Sequence, residues 1–383
     1  MRFLHTADWH VGKTLLGRSR LDEQEQVAAE ILDIAKREHI DCVLLAGDIF
    51  DSHAPTADAQ RVVCDALAEM AGAGMAVVIV GGNHDFRRLP ALRKLAGRLN
   101  IFIRPGPREG DESGMISYPK NGEQAKIAML SWIPESRIVD SRQILRPRNE
   151  WNQVYSEHVA ARCRRLASGF AANSINILLA HLFVDGADVT GSERPAHIAQ
   201  AFAVRPDQLP QAHYIALGHL HKPQEVPASS RCVYAGSPLQ LDFGERGQQK
   251  RVLIVDVRAE SQASVESVCI ASGRKLRDVV TTIDQLQSVA DKAGTDFLRV
   301  VVKARTRISG LSQQVSAALP NAVTVQQELT AAPPVLRPTP VDQIPRERFR
   351  QFVREQKNLV VSAEMIEAFD RLYDEAKHAA DEA

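Results

Sequence analysis

The chain has 383 residues, 44% of them hydrophobic and 25% charged, which is the composition of a globular protein with two or three domains of about 150 residues each. Because 47 Lys and Arg residues balance 47 Asp and Glu residues, overall basicity is excluded as a means of holding a polyanion, and only a local basic surface could do so. The five cysteines are widely spaced without a Cys-x-x-Cys pair, which argues against a disulfide framework or a zinc knuckle and favours a reducing cytoplasm.

Short apolar runs alternate with helical patterns over roughly the first 250 residues, and no secretory signal precedes them. Buried strands are predicted at 2–5, 42–46, 76–80, 126–132, 176–180, 214–217 and 252–257. Apolar residues at helical spacing predict helices over 22–39 and 57–71. This alternation is typical of an α/β domain, which we place at 1–272.

The pattern changes near residue 274 to a compact strand, helix, strand, helix, strand series. These elements are predicted at 276–281, 283–292, 297–303, 311–318 and 322–327. We therefore predict a small α/β capping domain at 273–330. Five prolines within 331–345 predict an extended linker, and a C-terminal arm at 346–383 should contain helices over 346–356 and 362–379.

Small polar clusters follow five of the predicted strands. They are Asp8-Trp9-His10, Gly47-Asp48-Ile49-Phe50-Asp51, Gly81-Gly82-Asn83-His84-Asp85, His181 and Gly218-His219-Leu220-His221. In open α/β sheets, ligands bind outside the carboxyl ends of the strands. We therefore expect the five clusters to converge on one crevice.

The clusters offer seven candidate metal ligands. These are Asp8, His10, Asp48, Asn83, His181, His219 and His221. Mixed oxygen and imidazole ligands suit manganese, iron or zinc. Seven side chains exceed the needs of one tetrahedral ion, whereas two ions that share a carboxylate would use them all. Each cluster alone is typical of a turn or a hydrogen-bonded histidine, but their joint occurrence favours a site with two adjacent metals.

In this order, the motifs D-x-H, G-D-x-x-D, G-N-H-D, a strand-end His and G-H-x-H resemble the calcineurin-like metallophosphoesterases. The resemblance implies a two-sheet sandwich flanked by helices. It also implies a ligand set in which Asp8, His10 and His221 hold one metal, Asn83, His181 and His219 hold the other, and Asp48 lies between them.

The same resemblance implies that His84 is the catalytic acid and that Asp51 is a carboxylate that orients it through a hydrogen bond. An alkoxide leaving group needs a proton from a group that titrates near neutrality, and a carboxylate behind an imidazole fixes its tautomer and raises its pKa. The alternative for Asp51 is an N-cap of the helix predicted from 57.

Longer strings extend the resemblance, over most of the first 345 residues, to the nuclease subunits of SbcCD-type complexes, a family of DNA double-strand-break-repair nucleases. They are HTADWHVGK at 5–13, AGDIFD at 46–51, GNHD at 82–85, AHLFV at 180–184, SERP at 192–195, LGHLHKPQ at 217–224 and YAGSPL at 234–239. The resemblance implies a manganese-dependent enzyme with double-strand 3′ to 5′ exonuclease and single-strand or hairpin endonuclease activity. It also implies a homodimer that joins an ATPase partner in a heterotetramer and processes DNA ends in repair, recombination and replication.

A basic segment follows the G-N-H-D motif. Between 86 and 108 it contains no acidic residue and carries Arg87, Arg88, Arg93, Lys94, Arg98, Arg104 and Arg108. Such a segment favours phosphate binding beside the metals, although a solvated helix face is an equally good interpretation.

The last predicted helix has an apolar stripe behind the proline-rich segment. It contains Met365, Ile366, Phe369, Leu372, Tyr373 and Ala376. Part of this stripe should pack on Phe349, Phe352 and Val353 of the preceding helix. Because two helices cannot bury all of their apolar surface alone, the arm should dock on something else. The resemblance implies that this is the ATPase.

Two other functions remain open. A small-molecule phosphodiesterase or phosphatase would carry the same metal motifs, but it would not need a second domain and a helical arm. A non-catalytic scaffold would require the loss of metal ligands, and the sequence retains all seven. The sequence contains no G-x-x-x-x-G-K-[ST], so any ATP dependence must come from a partner.

Overall fold

The computed structural model describes residues 1–106, 114–134, 137–138, 148–193, 203–330, 347, 349–350, 352–353 and 361–381, without the side chains of 94–95, 148–152 and 374–381. The chain divides into two compact units, Met1–Glu328 and Leu329–Ala383. The predicted linker at 331–345 and much of the helix predicted over 346–356 lie outside the described residues. Among the described residues, no helix is long and apolar enough to span a bilayer.

The first sheet contains six strands, numbered here in chain order. They are β1 (Arg2–Thr6), β2 (Cys42–Leu45), β3 (Ala76–Val80), β4 (Ile101–Arg104), β13 (Arg251–Asp256) and β14 (Ser264–Cys269). Their order is β14-β13-β1-β2-β3-β4, in which β1 to β4 are parallel and β13 is antiparallel to both of its neighbours, β1 and β14. Helices α1 (Leu21–Arg37), α2 (Ala57–Gly72) and α3 (Pro90–Ala96) connect the parallel strands.

The second sheet also contains six strands. They are β5 (Met115–Lys120), β6 (Glu123–Leu130), β7 (Ile175–His181), β10 (Tyr214–Gly218), β11 (Gln224–Val226) and β12 (Cys232–Tyr234), in the order β11-β12-β10-β7-β6-β5. Helix α4 (Arg148–Ala167) connects β6 to β7. A separate pair, β8 (Phe183–Val184) and β9 (Ala203–Val204), follows β7.

Alternating side chains of the central strands enter different apolar clusters. In β3, Val78 belongs to the cluster shared by the two sheets, whereas Val77 packs with residues of α1 and α2. In β7, Ile177 enters the shared cluster and Leu178 packs with residues of α4. Both faces of these strands are therefore buried, which explains their nearly continuous apolar sequences. The predicted two-sheet sandwich flanked by helices is confirmed.

Residues 273–330 form a separate three-stranded sheet. Its strands β15 (Leu276–Thr281), β16 (Phe297–Ala304) and β17 (Ala322–Leu329) lie in that order beside α5 (Leu286–Ala293) and α6 (Leu311–Ala318). The predicted order of elements is correct, although the helix predicted from 283 begins as a 3-10 turn at Ile283–Gln285. This sheet has its own apolar cluster, but it belongs to the same compact unit as both large sheets. The boundary at 272 therefore remains a prediction.

In the C-terminal unit, helix α7 (Ala363–Asp381) agrees closely with the prediction. Part of its apolar stripe packs locally, because the rings of Phe349 and Phe369 stack with centroids 4.4 Å apart. Other apolar side chains of this unit stay in contact with solvent, since Leu372 is 66% exposed and Phe352 is 58% exposed. The arm therefore buries only part of its apolar surface within itself.

Candidate metal centre

The five polar clusters lie at the carboxyl ends of strands that belong to two different sheets. Three clusters follow β1, β2 and β3 of the first sheet, and two follow β7 and β10 of the second. In the second sheet, Gly218 at the end of β10 pairs with His181 at the end of β7. The site thus lies across the two-sheet sandwich and draws its clusters from both sheets.

Four of the seven candidate ligands have left-handed backbone conformations. The φ angle is +52° at Asp8, +47° at His10, +47° at Asp48 and +106° at His219. Such conformations are costly for residues other than glycine, and they persist only where the surrounding structure imposes them. Here the main-chain N–H of His10 donates to the carbonyl oxygen of Asp48 at 2.9 Å, and that of His219 donates to the Asp8 carboxylate at 3.0 Å.

Three glycines allow the chain segments of the site to approach closely. A Cβ on Gly47 would lie 2.3 Å from Nδ1 of His181, and one on Gly82 would lie 2.0 Å from Oδ1 of Asp48. A Cβ on Gly218 would lie 1.8 Å from the carbonyl oxygen of Ala46. Any larger residue would therefore separate the strand ends that carry the candidate ligands.

One group of buried potential ligands consists of Asp8, His10 and His221, whose ligand atoms lie within 4.8 Å of one another. Nδ1 of His10 is 3.1 Å from the Asp51 carboxylate, and Nδ1 of His221 is 2.9 Å from the Glu245 carboxylate. Since ionised carboxylates only accept hydrogen bonds, both rings carry a proton on Nδ1 and a lone pair on Nε2 when neutral. Nε2 of His10 is buried and has no hydrogen-bond partner among the residues that the structure describes, as expected for a nitrogen that binds a metal.

A second group contains Asp8, Asp48 and His181, also within 4.8 Å. Nδ1 of His181 donates to the carbonyl oxygen of Ala46 at 2.8 Å, which leaves a lone pair on Nε2 of the neutral ring. That Nε2 lies 3.0 Å from Oδ1 of Asn83 and 3.5 Å from Oδ2 of Asp48. With the His181 ring neutral, these three atoms can only accept hydrogen bonds, so a cation between them would supply the missing positive partner. The donor set therefore fits a divalent metal.

The same Asn83 oxygen connects the fourth histidine to this group. It lies 3.0 Å from Nδ1 of His219, so His219 would offer Nδ1 where His10 and His221 offer Nε2. The ring of Trp132 stacks on the His219 ring, with centroids 5.0 Å apart at 26°, and is almost completely buried. Trp132 therefore provides an apolar wall that restrains this imidazole.

The electrostatics of the site reflect a high density of buried acceptors. Burial raises the pKa of Asp8 to about 7 and lowers the pKa of His10 to about 4. Burial alone would also lower the pKa of His181, but the Asp48 and Asp8 carboxylates raise it to about 9. Burial would raise the pKa of Asp48, yet His181 and the neighbouring histidines hold it well below its usual value. The Asp8 and Asp48 carboxylates therefore favour positive charge next to them, at the position of His181, and a divalent cation can supply such a charge.

His84 and Asp51 lie beside the ligands, but their hydrogen bond differs from the one that the resemblance implies. Nδ1 of His84 donates to the main-chain carbonyl oxygen of Asp51 at 2.8 Å, whereas the Asp51 carboxylate is 3.8 Å from the same nitrogen. That carboxylate instead lies 3.1 Å from His10 and 3.4 Å from Nζ of Lys13. The interpretation of Asp51 as a helix cap is wrong, because Thr56 accepts the capping hydrogen bond of α2.

Several residues next to the ligands carried no sequence signal that we used. Trp132 is the last residue of the strand predicted at 126–132, and it lies two residues beyond the observed end of β6. Glu245 and Lys250 contact His221 from the segment before β13. In the sequence, Lys250 directly precedes β13 and Glu245 lies six residues before it, and neither position indicates a contact with His221. Glu245 and Lys250 come to lie beside His221 only because the segment between β12 and β13 folds back onto the metal centre.

Asp85 connects the two turns that carry Asp48 and Asn83. Its carboxylate is fully buried and accepts main-chain N–H groups from Ile49 at 2.7 Å, Phe50 at 3.2 Å and Gly82 at 2.9 Å. The first two donors follow β2 and the third follows β3. Asp85 thereby joins the ends of two adjacent strands.

We expect Asp85→Asn to destabilise the metal-free protein by about 1–3 kcal/mol, because an amide nitrogen would face a buried N–H that lost its acceptor. Urea unfolding of the full chain measures this change. The matched control is Asp242→Asn, since Asp242 is exposed, caps a 3-10 turn through a single N–H, and Asn is an equally good cap. Equal stability of both variants would show that the Asp85 hydrogen bonds contribute nothing specific.

The basic segment does not present all of its charges on one surface. Arg104 is buried on β4, and Arg88 is half-buried and donates to Gln60. Arg108 and the side chain of Lys94 lie outside the described residues, as do Arg194 and Pro195 of the S-E-R-P string. Among the described side chains of this segment, the exposed ones are Arg87, Arg93 and Arg98.

Comparisons with known proteins agree with this geometry. The profile of the family "Calcineurin-like phosphoesterase" matches residues 1–223, which is more than half of the chain. The chain is similar to the SbcD subunit of the nuclease SbcCD of Bacillus subtilis, with 36% identity over 72% of this chain and 71% of the relative. The SbcD subunits of Rhodobacter capsulatus and Escherichia coli K12 are 34% and 28% identical, over 67% and 70% of this chain and 66% and 68% of theirs. The chain belongs to the calcineurin-like phosphoesterase family and is a metal-dependent phosphodiester hydrolase.

Proposed function

We propose that this chain is the manganese-dependent DNA nuclease subunit of an ATP-dependent SbcCD-type complex. It would act as a double-strand 3′ to 5′ exonuclease and a single-strand or hairpin endonuclease in a cytoplasmic assembly that contains two copies of this chain and an ATPase. The observation that carries the proposal is the buried set of oxygen and imidazole donors, found in a chain whose relatives include SbcCD nuclease subunits. All five cysteines are free, which supports a reducing compartment.

The ligands divide into two sets in this proposal. One ion would be held by Asp8, His10 and His221, the other by Asn83, His181 and His219, and Asp48 would contact both. The position of Asp48 supports this shared role, because its Oδ2 lies 3.7 Å from Nε2 of His10 and 3.5 Å from Nε2 of His181. Two such ions supply Lewis acidity and lower the pKa of water, which makes a hydroxide nucleophile available at neutral pH.

His84 is suited to donate a proton to the leaving 3′ oxygen. Because a main-chain carbonyl can only accept, its bond to Nδ1 keeps a proton on that nitrogen. The cationic ring then carries its second proton on Nε2, and that proton can be transferred. The main-chain N–H of His84 also donates to Oδ1 of Asp48 at 2.8 Å, which places the acid next to the proposed shared ligand.

A small-molecule phosphodiesterase is the second candidate, because the same donor set could hydrolyse any accessible phosphodiester. The three-stranded sheet at 273–330 favours a larger substrate or a partner. It is joined to the segment after His10 through Arg18, which donates to the carbonyl oxygens of Pro320 and Ala322 at 2.9 and 2.8 Å. A small-molecule enzyme has no evident need for this additional domain.

Nuclease assays with the purified full chain and Mn²⁺ separate the two candidates. The substrates are duplex DNA ends, DNA hairpins and a generic phosphodiester, each with and without the ATPase. We expect cleavage of DNA and ATP stimulation on duplex ends only when the ATPase is present. Hydrolysis of the generic phosphodiester without any cleavage of DNA would favour the small-molecule enzyme.

The C-terminal arm gives a separate test of the ATPase partnership. Truncation after Pro345 should leave Mn²⁺-dependent hydrolysis of a small phosphodiester intact but abolish co-purification with the ATPase. Leu372→Asp combined with Phe352→Asp should have the same effect, because burial of two carboxylates in an apolar interface is costly. These two side chains are chosen because they are exposed, whereas Phe369 stacks on Phe349.

The control for this double variant is Glu367→Gln with Arg371→Gln. It replaces two charged residues of α7, the helix that carries Leu372. It should assemble normally. Normal assembly of the truncated chain would contradict the docking role, and loss of its Mn²⁺-dependent activity would show that the arm supports the catalytic domain.

A further inference from the structure

A buried ion pair lies behind His221. Glu245 is fully buried, with Oε1 at 2.9 Å from Nδ1 of His221 and Oε2 at 2.6 Å from Nζ of Lys250. Lys250 is only 5% exposed. A carboxylate and an ammonium group are thus removed from water directly beside a candidate metal ligand.

The pair contacts His221 at two points and has its remaining hydrogen bonds satisfied. Nζ of Lys250 donates to the carbonyl oxygen of His221 at 3.2 Å and to Oγ of Ser237 at 2.8 Å. Oε2 of Glu245 accepts from Ser237 Oγ at 3.0 Å and from the Leu241 N–H at 3.1 Å. Both the ring and the main chain of His221 are therefore held by the same pair.

Stability alone is a poor explanation for such a pair. Replacement of a buried ion pair by well-packed apolar residues is often neutral or stabilising, because the desolvation of two charges offsets their attraction. A carboxylate behind a metal-binding imidazole, in contrast, has a direct effect on the ligand, since it sets the tautomer and the orientation of the ring. The location of the pair favours this second role.

The other partner of Nδ1 cannot set the tautomer. Oγ of Ser192 lies 2.8 Å from Nδ1 of His221, and a hydroxyl can either donate or accept. With Ser192 alone, the ring could carry its proton on Nε2, which would prevent Nε2 from binding a metal. Only the Glu245 carboxylate requires the proton to be on Nδ1.

We propose that Glu245 and Lys250 are positioning residues that hold His221 as the Nδ1–H tautomer and thereby set the metal affinity of the group formed by Asp8, His10 and His221. This inference rests on the proposed metal-binding function of that group. Lys250 orients the Glu245 carboxylate, because its ammonium group binds Oε2 and leaves Oε1 to accept the Nδ1–H of His221.

The test variant is Glu245→Gln in the full chain. Lys250 would attract the amide oxygen, so the amide NH₂ would face Nδ1 of His221 and favour the wrong tautomer. Titration of the ion-free protein with Mn²⁺, followed by the electron paramagnetic resonance signal of free Mn²⁺, should show one site weakened by about 10- to 100-fold and the other unchanged.

Two further variants separate positioning from folding. Glu23→Gln is the matched control, because Glu23 is a buried carboxylate that pairs with Arg20 at 2.7 Å on another segment. It should bind Mn²⁺ as the wild type does, even if its melting temperature falls. Glu245→Leu with Lys250→Met removes both buried charges and should remain folded, yet show the same loss at one site.

Each outcome has a distinct meaning. Wild-type Mn²⁺ affinity at both sites in Glu245→Gln or in the apolar double variant would overturn the positioning role. An equal loss in Glu23→Gln would also overturn it, because the effect would then follow general destabilisation. Failure of the wild-type chain to bind two Mn²⁺ ions would instead contradict the proposed function, and this inference with it.

Discussion

Asp48→Asn is expected to weaken Mn²⁺ binding at both sites and to abolish hydrolysis. The carboxylate lies between two imidazoles, with Oδ2 at 3.7 Å from Nε2 of His10 and 3.5 Å from Nε2 of His181. A neutral amide keeps the shape but removes the negative charge that two adjacent cations would share. Replacement of a residue that only hydrogen-bonds to a metal ligand typically lowers metal affinity by about 10- to 100-fold. The loss in Asp48→Asn should be larger, because Asp48 itself would bind the metals.

Anomalous scattering from crystals grown with Mn²⁺ measures occupancy at each site separately. His10→Ala is the comparison variant, because it should reduce occupancy mainly at one site. In Asp48→Asn, the new amide oxygen can still accept the His84 N–H that Asp48 Oδ1 accepts at 2.8 Å, so the turn should be preserved. Two fully occupied ions in Asp48→Asn would show that Asp48 does not bridge them.

His84→Gln should lower turnover on DNA by about 10²- to 10⁴-fold while metal and DNA affinity are kept, because glutamine cannot transfer a proton to the leaving oxygen. The sharpest measurement compares two substrates in single-turnover experiments with Mn²⁺. A phosphodiester with a nitrophenolate leaving group needs no proton and should lose much less activity than DNA. Equal losses on both substrates, or unchanged turnover on DNA, would remove His84 from the role of general acid.

Asp51→Asn is the informative companion to that experiment. The resemblance predicts that Asp51 acts by orienting His84, but the carboxylate contacts His10 at 3.1 Å and the main-chain oxygen of Asp51 holds His84. A side-chain replacement leaves that main-chain bond in place. The structure therefore predicts a smaller loss of turnover than in His84→Gln, accompanied by weaker metal binding through His10.

The nature of the candidate site was visible in the sequence because its donors follow strands at short spacing. Asp8 and His10 follow β1 directly, and Asp48 and Asn83 follow the next two apolar runs. The glycines before Asp48 and Asn83 were equally visible, and the structure shows that a Cβ at Gly47 or Gly82 would collide with the site. Short sequence motifs can predict these donors and glycines, because each motif lies within a few residues of the end of one strand.

Other features depended on contacts between distant segments. The bond from the His219 N–H to Asp8 joins residues 211 positions apart, and the bond between Nδ1 of His84 and the Asp51 carbonyl joins main chain to side chain across 33 positions. The spacing of apolar and polar residues does not predict which hydrogen-bond acceptor a histidine will contact. The partners of His84 and Asp51 were therefore beyond sequence reasoning.

The sequence by itself determined seven strands of the two large sheets, helices α1 and α2, the order of elements over 276–327 and the types of ligand offered, because each of these follows from local composition and spacing. Tertiary structure alone decided that Arg104 is buried and that Glu245 and Lys250 lie behind His221. The physical reason is that burial, hydrogen-bond partners and charge pairing are properties of surfaces brought together only when distant segments pack.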